Sequence, residues 1–172
     1  MPPVDIAAAV GIAAAVLGLA SFLYANPLAF KLQLGLGSIL WGVHFGLLGS
    51  MSAMLTQFAI GLRTWCTISR HAERHRALLL VASSAVFAAL AWSAWEGWVS
   101  LLPLAAAINS TAAFLRDSNR GMRVQLLGSS ALWIATGAYW HSWPMVLTEF
   151  IVVAANLRTI HRLGQTTPTA PS

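Results

Sequence analysis

The chain has 172 residues and a formal net charge of +5, yet only 9% of them are Asp, Glu, Lys or Arg, while 58% are hydrophobic and the mean hydropathy is +0.70. So few charges cannot cover a water-facing surface, which excludes a soluble globular domain and reads as an all-α membrane protein. The single Cys66 excludes an internal disulfide, and no CxxC spacing offers thiolates to a metal.

Crossing about 30 Å of hydrocarbon takes about 20 apolar residues, because a helix bonds all of its own backbone polar groups there. Seven runs meet that length: 4–24, 31–50, 51–69, 76–95, 97–115, 122–141 and 144–162. The first, VDIAAAVGIAAAVLGLASFLY, lacks a positive n-region and is too long for a signal-peptide core, so it is read as a mature helix. The second carries Ser38, Gly42, Gly46 and Ser50 at a spacing of four, a small-residue stripe suited to close helix packing. It also holds His44, the one histidine expected within hydrocarbon.

On the third run Gln57, Thr64 and Thr67 fall on one helical face. The following loop contains HAERH at 71–75, whose order is wrong for the HExxH zinc signature; it reads as a basic loop facing anionic lipid, and no metal or other cofactor is expected. The fifth run has Pro103 as a candidate hinge and Asn109 near its middle. On the seventh, Glu149, Asn156 and Thr159 repeat the offsets of Gln57, Thr64 and Thr67. Residues 1–163 thus form one transmembrane domain, and the polar, proline-containing tail 164–172 reads as disordered.

Every lysine and arginine, from Lys31 to Arg162, falls in or beside the first, third and fifth loops or the tail. Basic residues stay cytoplasmic, so the N-terminus is expected outside and the C-terminus inside a bacterial inner membrane, with the lipid bilayer as partner. The basic charge serves topology and implies no nucleic acid. Trp92, Trp95, Trp98, Trp140 and Trp143 gather at the expected outer interface, whereas Trp41 and Trp133 lie near the midplane, where an indole N–H needs a partner or a cavity.

An ungapped overlay of residues 8–70 on 100–162 pairs QLGLGSILW at 33–41 with QLLGSSALW at 125–133, and LTQF at 55–58 with LTEF at 147–150. Helices one to three therefore read as the same unit as helices five to seven, with the helix at 76–95 as connector. Three helices invert the chain and a fourth restores it, so the plan is two parallel three-helix repeats, 3+1+3, about an axis along the membrane normal.

The run WGVHFGLLGSMSAMLTQFAIGLRTWCTI, with LLPLAAAINSTAAF and TEFIVVAANLRTI, resembles the bacterial inner-membrane YgjV family over nearly the whole chain. The 3+1+3 plan in turn resembles the SWEET, PQ-loop and KDEL-receptor group, although the Pro-Gln dipeptide is absent. That resemblance implies a ligand held between the bundles, with Asn156 as a contact and Thr64 at its partner position.

Polar groups in hydrocarbon are costly and so are functional candidates. The expected contacts for a small polar solute are Trp41, Trp133, Asn109, Asn156, Glu149 and Gln57, with His44 or Glu149 as proton relay if transport is ion-coupled. No catalytic pair is visible, so the chain is not expected to be an enzyme. The expected function is small-solute transport; the alternative is a receptor, sorting or assembly factor that binds a peptide or protein. Homo-oligomerisation is left open.

Overall fold

A computed structural model describes residues 4–21, 26–69, 74–114, 116 and 118–165. Among these residues there are seven α-helices and no strand: α1 (Val4–Ser21), α2 (Pro27–Leu47), α3 (Met51–Cys66), α4 (Arg76–Ser93), α5 (Leu101–Phe114), α6 (Asn119–Tyr139) and α7 (Trp143–Gln165). Two of them, α4 and α7 over Trp143–Gly164, are long and apolar enough to cross a membrane by length and composition; the apolar stretches Ile6–Ser21 and Trp98–Phe114 are shorter.

Helix ends differ from the hydropathy runs because capping sets them. The α2 helix begins before Lys31: the Asn26 side chain accepts the Leu28 N–H at 2.9 Å, and Pro27 occupies a position where no donor is missed. Lys31 then lies inside the helix, and its ammonium donates to the Thr67 carbonyl at the end of α3, 2.6 Å away. The expected fifth segment is interrupted at its start, where Gly97 has φ +90° and a 3₁₀ turn over Trp98–Ser100 leads into α5. Pro103 consequently sits in the first turn of α5, where its missing N–H costs nothing, so it is not the mid-helix hinge expected from the longer run. At the other end, α7 continues to Gln165, so Gly164 and Gln165 are helical rather than part of a disordered tail. Residues 166–172 lie outside the described residues, as do His71 and Glu73 of HAERH. No cluster able to hold a metal occurs among the described residues.

Packing is inverted relative to a water-soluble protein. The outward surface carries Ile12 and Val16 of α1, Leu78 and Val81 of α4, and Leu147, Phe150 and Ile151 of α7, while Ser38, His44, Ser52, Thr56, Ser129 and Thr136 are buried. Lipid tails offer no hydrophobic drive for helices to associate, so small residues and interhelical hydrogen bonds must do it. The stripe on α2 does so as expected. A Cβ on Gly42 would lie 2.4 Å from the Phe58 ring and 3.2 Å from the Met54 carbonyl, and one on Gly46 would meet the Met54 sulfur at 2.7 Å.

The α2 helix packs along α1 and α3, and α6 packs along α5 and α7; α4 touches α3 and α5, while α1 meets α7 and α3 meets α5. The turn after α2 and the turn after α6 agree bond for bond. Leu48 N–H donates to His44, Gly49 to Gly46 and Ser50 to Phe45; at the aligned positions Trp140 donates to Thr136, His141 to Ala138 and Ser142 to Gly137. Gly49 (φ +89°) and the aligned His141 (φ +53°) both take the left-handed conformation that ends the helix. Near the opposite ends, Gln33 Nε2 donates to the Leu17 carbonyl at 3.0 Å, and the aligned Gln125 Nε2 faces the aligned Asn109 carbonyl at 3.4 Å.

Gly42→Ala forces apart α2 and α3, because a carbonyl of the neighbouring backbone cannot swing aside. It should cost about 1–3 kcal/mol, the usual penalty of overpacking. Gly18→Ala, with nothing within 4 Å of its Cβ, should leave stability unchanged or raise it slightly. Thermal unfolding of the two purified variants checks both, and equal melting temperatures would refute the close α2–α3 contact.

Candidate functional site

Trp41 and Trp133, the two indoles expected near the midplane, are both buried and flank one ring, that of Phe45. Phe45 is fully buried, with its centroid 6.4 Å from Trp41 and 6.1 Å from Trp133, tilted 38° and 32°. Ala14, Ala53, Ala106 and Met145 complete this cluster, so α1, α2, α3, α5, α6 and α7 all meet around the stack. Phe45 was not among the residues singled out from the sequence. The signal available was the asymmetry of the overlay, which places it opposite Gly137.

Directly beside the stack, His44 contacts Trp41 and Phe45 edge-on with centroids 5.4 Å away in each case. Its Nδ1 lies 2.7 Å from the Ala7 carbonyl of α1, and its Nε2 lies 2.6 Å from Ser142 Oγ at the turn before α7. A carbonyl can only accept, so Nδ1 carries the proton; in the neutral ring Nε2 then accepts from the serine hydroxyl. Gly11 leaves room for this arrangement, since a Cβ there would come within 2.8 Å of the imidazole. His44 therefore ties α1, α2 and the α6–α7 turn together.

The remaining expected contacts separate into two groups. Gln57 on α3 is 5% exposed and its amide has no hydrogen bond to any described residue. It lies between Ala53 and Ile60 on the helical face that packs toward the aromatic cluster. At its aligned position, the Glu149 carboxyl lies beside Ser130 of α6. One turn pair further along, Asn156 is buried and its Oδ1 accepts from an Arg123 Nη at 3.0 Å. Thr64, Thr67 and Thr159 each donate to a carbonyl of their own helix end, which leaves no donor for a neighbour.

Asn109 is different. Its Nδ2 donates to the Gln125 carbonyl at 2.8 Å and to Ser129 Oγ at 2.9 Å, and its Oδ1 accepts from Gln125 Nε2 at 3.2 Å. These bonds join α5 to α6, and Asn109 and Gln125 line a surface cleft of about 660 Å³. They do not bring Asn109 to the tryptophan stack.

Residues 5–167 match the YgjV family, described as a bacterial inner membrane protein. The chain belongs to that family. No curated protein and no solved structure matches it. Membership places this YgjV-family chain in the bacterial inner membrane and agrees with the apolar outward surface.

Two further side chains that the sequence did not single out fasten α3 to its surroundings. Glu96, in the loop before α5, accepts from the Met51 N–H at 2.5 Å, the Ser52 N–H at 3.3 Å, the Ser52 hydroxyl at 2.7 Å and the Ser50 hydroxyl at 3.2 Å. A carboxylate thus sits on the free N–H groups of the α3 N-terminus, where the helix dipole favours negative charge. At the other end of α3, the Arg63 guanidinium donates to the Thr111 hydroxyl and lies 5.6 Å from the Phe114 ring centroid, both on α5. Neither pairing has a local sequence signature, because each joins residues more than forty positions apart.

Ser50 Oγ still accepts the Ala53 N–H without Glu96, but removing the carboxylate leaves the Met51 and Ser52 N–H groups at the α3 start without their acceptor. Glu96→Ala should lower stability by about 1–3 kcal/mol and Glu96→Gln by less, since an amide oxygen still accepts. Denaturation in a fixed detergent should order the three proteins that way; an unchanged Ala variant would show that the cap is not needed.

Proposed function

We propose that this inner-membrane protein is a small-solute transporter rather than an enzyme, built as two parallel three-helix repeats with α4 as connector and with all seven helices spanning the bilayer. The observation that carries the reading is the unspent amide of Gln57. The Gln57 side chain is buried, but its amide is not fully enclosed and makes no hydrogen bond to a described residue, so it is free to bond a solute that reaches it. Bond-for-bond agreement of the α2–α3 and α6–α7 turns supports two equivalent repeats whose third helices present Gln57 and Thr64 from one side, and Glu149 and Asn156 from the other.

In this reading a polar solute lies between α3 and α7. Gln57, Glu149 and Asn156 bond it, and Trp41 and Trp133 bound its apolar side together with Phe45. The aromatic stack and the His44–Ser142 bond close the path toward the outer face; movement of the two repeats about their mutual axis would open it. Transport is facilitated diffusion unless Glu149 or His44 exchanges a proton during the cycle. Asn109 belongs to α5–α6 packing in this scheme. The N-terminus lies outside and the C-terminus in the cytoplasm, as the basic residues imply.

Uptake by reconstituted vesicles of a solute first identified by thermal stabilisation provides the test. Gln57→Ala and Asn156→Ala should each cut uptake about tenfold or more with folding intact, the expected loss of one buried hydrogen bond to a ligand. Cysteines at 64 and 156 should react with membrane-impermeant reagents from both sides. Reaction from one side only under every condition would replace the carrier with a receptor that binds without transport.

A further inference from the structure

The surface cleft of about 660 Å³ is lined by Asn109, Arg116, Ser118, Arg120, Val124 and Gln125, and it opens at the end of the molecule where α6 begins. Asn109 and Gln125 have little hydrogen-bonding capacity to spare. The two are bonded to each other, Asn109 Nδ2 also donates to Ser129 Oγ, and Gln125 Oε1 also accepts from Arg116 Nε. Ser118 Oγ caps α6 by accepting the Gly121 N–H at 3.1 Å, which leaves its hydroxyl proton to donate.

What remains unspent is therefore almost all donor: the Nη groups of Arg116 and all of the Arg120 guanidinium, neither of which has a partner among the described residues, and the Ser118 hydroxyl. No described carboxylate lines the cleft. Among the described lining residues the unspent groups are donors and two of them are cationic, which suits an oxyanion with several acceptor oxygens. Guanidinium groups bind phosphate in a bidentate manner, so phosphate is the fitting anion.

The source of that phosphate follows from an apolar lining residue. Val124 lines the cleft and is 52% exposed, so the cleft offers an apolar side chain beside its polar ones. A phosphodiester with attached acyl chains matches both. We propose that this cleft binds the headgroup of an anionic phospholipid, with Arg116 and Arg120 on the phosphate, the Ser118 hydroxyl as a third donor, and Val124 against the glycerol and upper acyl chain. Basic recesses beside membrane helices take anionic headgroups by this combination of charge and apolar contact. The site is separate from the solute position proposed above, so either can fail without the other.

Native mass spectrometry of the full-length protein, released from micelles holding equal amounts of phosphatidylglycerol and phosphatidylcholine, reads the site directly. The wild-type protein should retain phosphatidylglycerol in preference to phosphatidylcholine. The double variant Arg116→Gln with Arg120→Gln should lose about tenfold or more of that preference, whereas Arg158→Gln, an exposed arginine on α7 outside the cleft, should keep it. Should the double variant not fold, Val124→Trp, which enlarges the apolar side chain but keeps both arginines, should displace the lipid. Equal retention by wild type and the cleft variants overturns the proposal. So does protection from unfolding by inorganic phosphate with no preference for phosphatidylglycerol, which would assign the cleft to a soluble phosphate.

Discussion

Lipid cannot hydrogen-bond, so each polar side chain within these helices is satisfied by protein or carries a cost, and the way that demand is met positions the helices. His44 reaches α1 and the α6–α7 turn, Glu96 caps α3 from the loop before α5, and Arg63 reaches Thr111. These bonds connect elements that apolar packing alone would leave free to slide, because the outward residues are as content against lipid as against one another. Small residues act with them: Gly42 and Gly46 let α2 approach α3, and Gly11 makes space for the imidazole. Close approach and interior bonding are thus two sides of one arrangement.

Against that background the unsatisfied groups stand out. The Thr56 hydroxyl is the one fully enclosed side-chain polar atom without a partner among the described residues, and the aligned Thr148 bonds its own helix at Pro144. Gln57, next to Thr56, makes no hydrogen bond to a described residue, although its amide is not fully enclosed, while the aligned Glu149 lies beside Ser130. The first half of the chain therefore leaves polar capacity open at the same depth where the second half spends it.

The same asymmetry appears in the aromatic cluster. Trp41 and Trp133 are aligned and both buried, but the ring between them comes from one half only, since Phe45 faces a glycine in the overlay. A symmetric pair of large rings at that depth would overfill the core, and a symmetric pair of glycines would leave a void. One ring fills the space between the two tryptophans.

Composition and periodicity alone determined that the chain is helical and membrane-bound, where its small-residue stripe lies, and which turns correspond, because hydrophobic run length and side-chain spacing are local properties. The matched clauses around Trp41 and Trp133 and around Gln57 and Glu149 were legible for the same reason, and the threonines behaved as their short side chains dictate. Only the tertiary structure decided that Asn109 turns toward Gln125 rather than toward the tryptophans, that Pro103 starts a helix instead of bending one, and that Glu96, Arg63 and Phe45 bind the assembly together. Those outcomes depend on which helix faces come into contact, and a face that is polar or bulky in isolation has no preferred partner until another helix supplies the matching donor, acceptor or space.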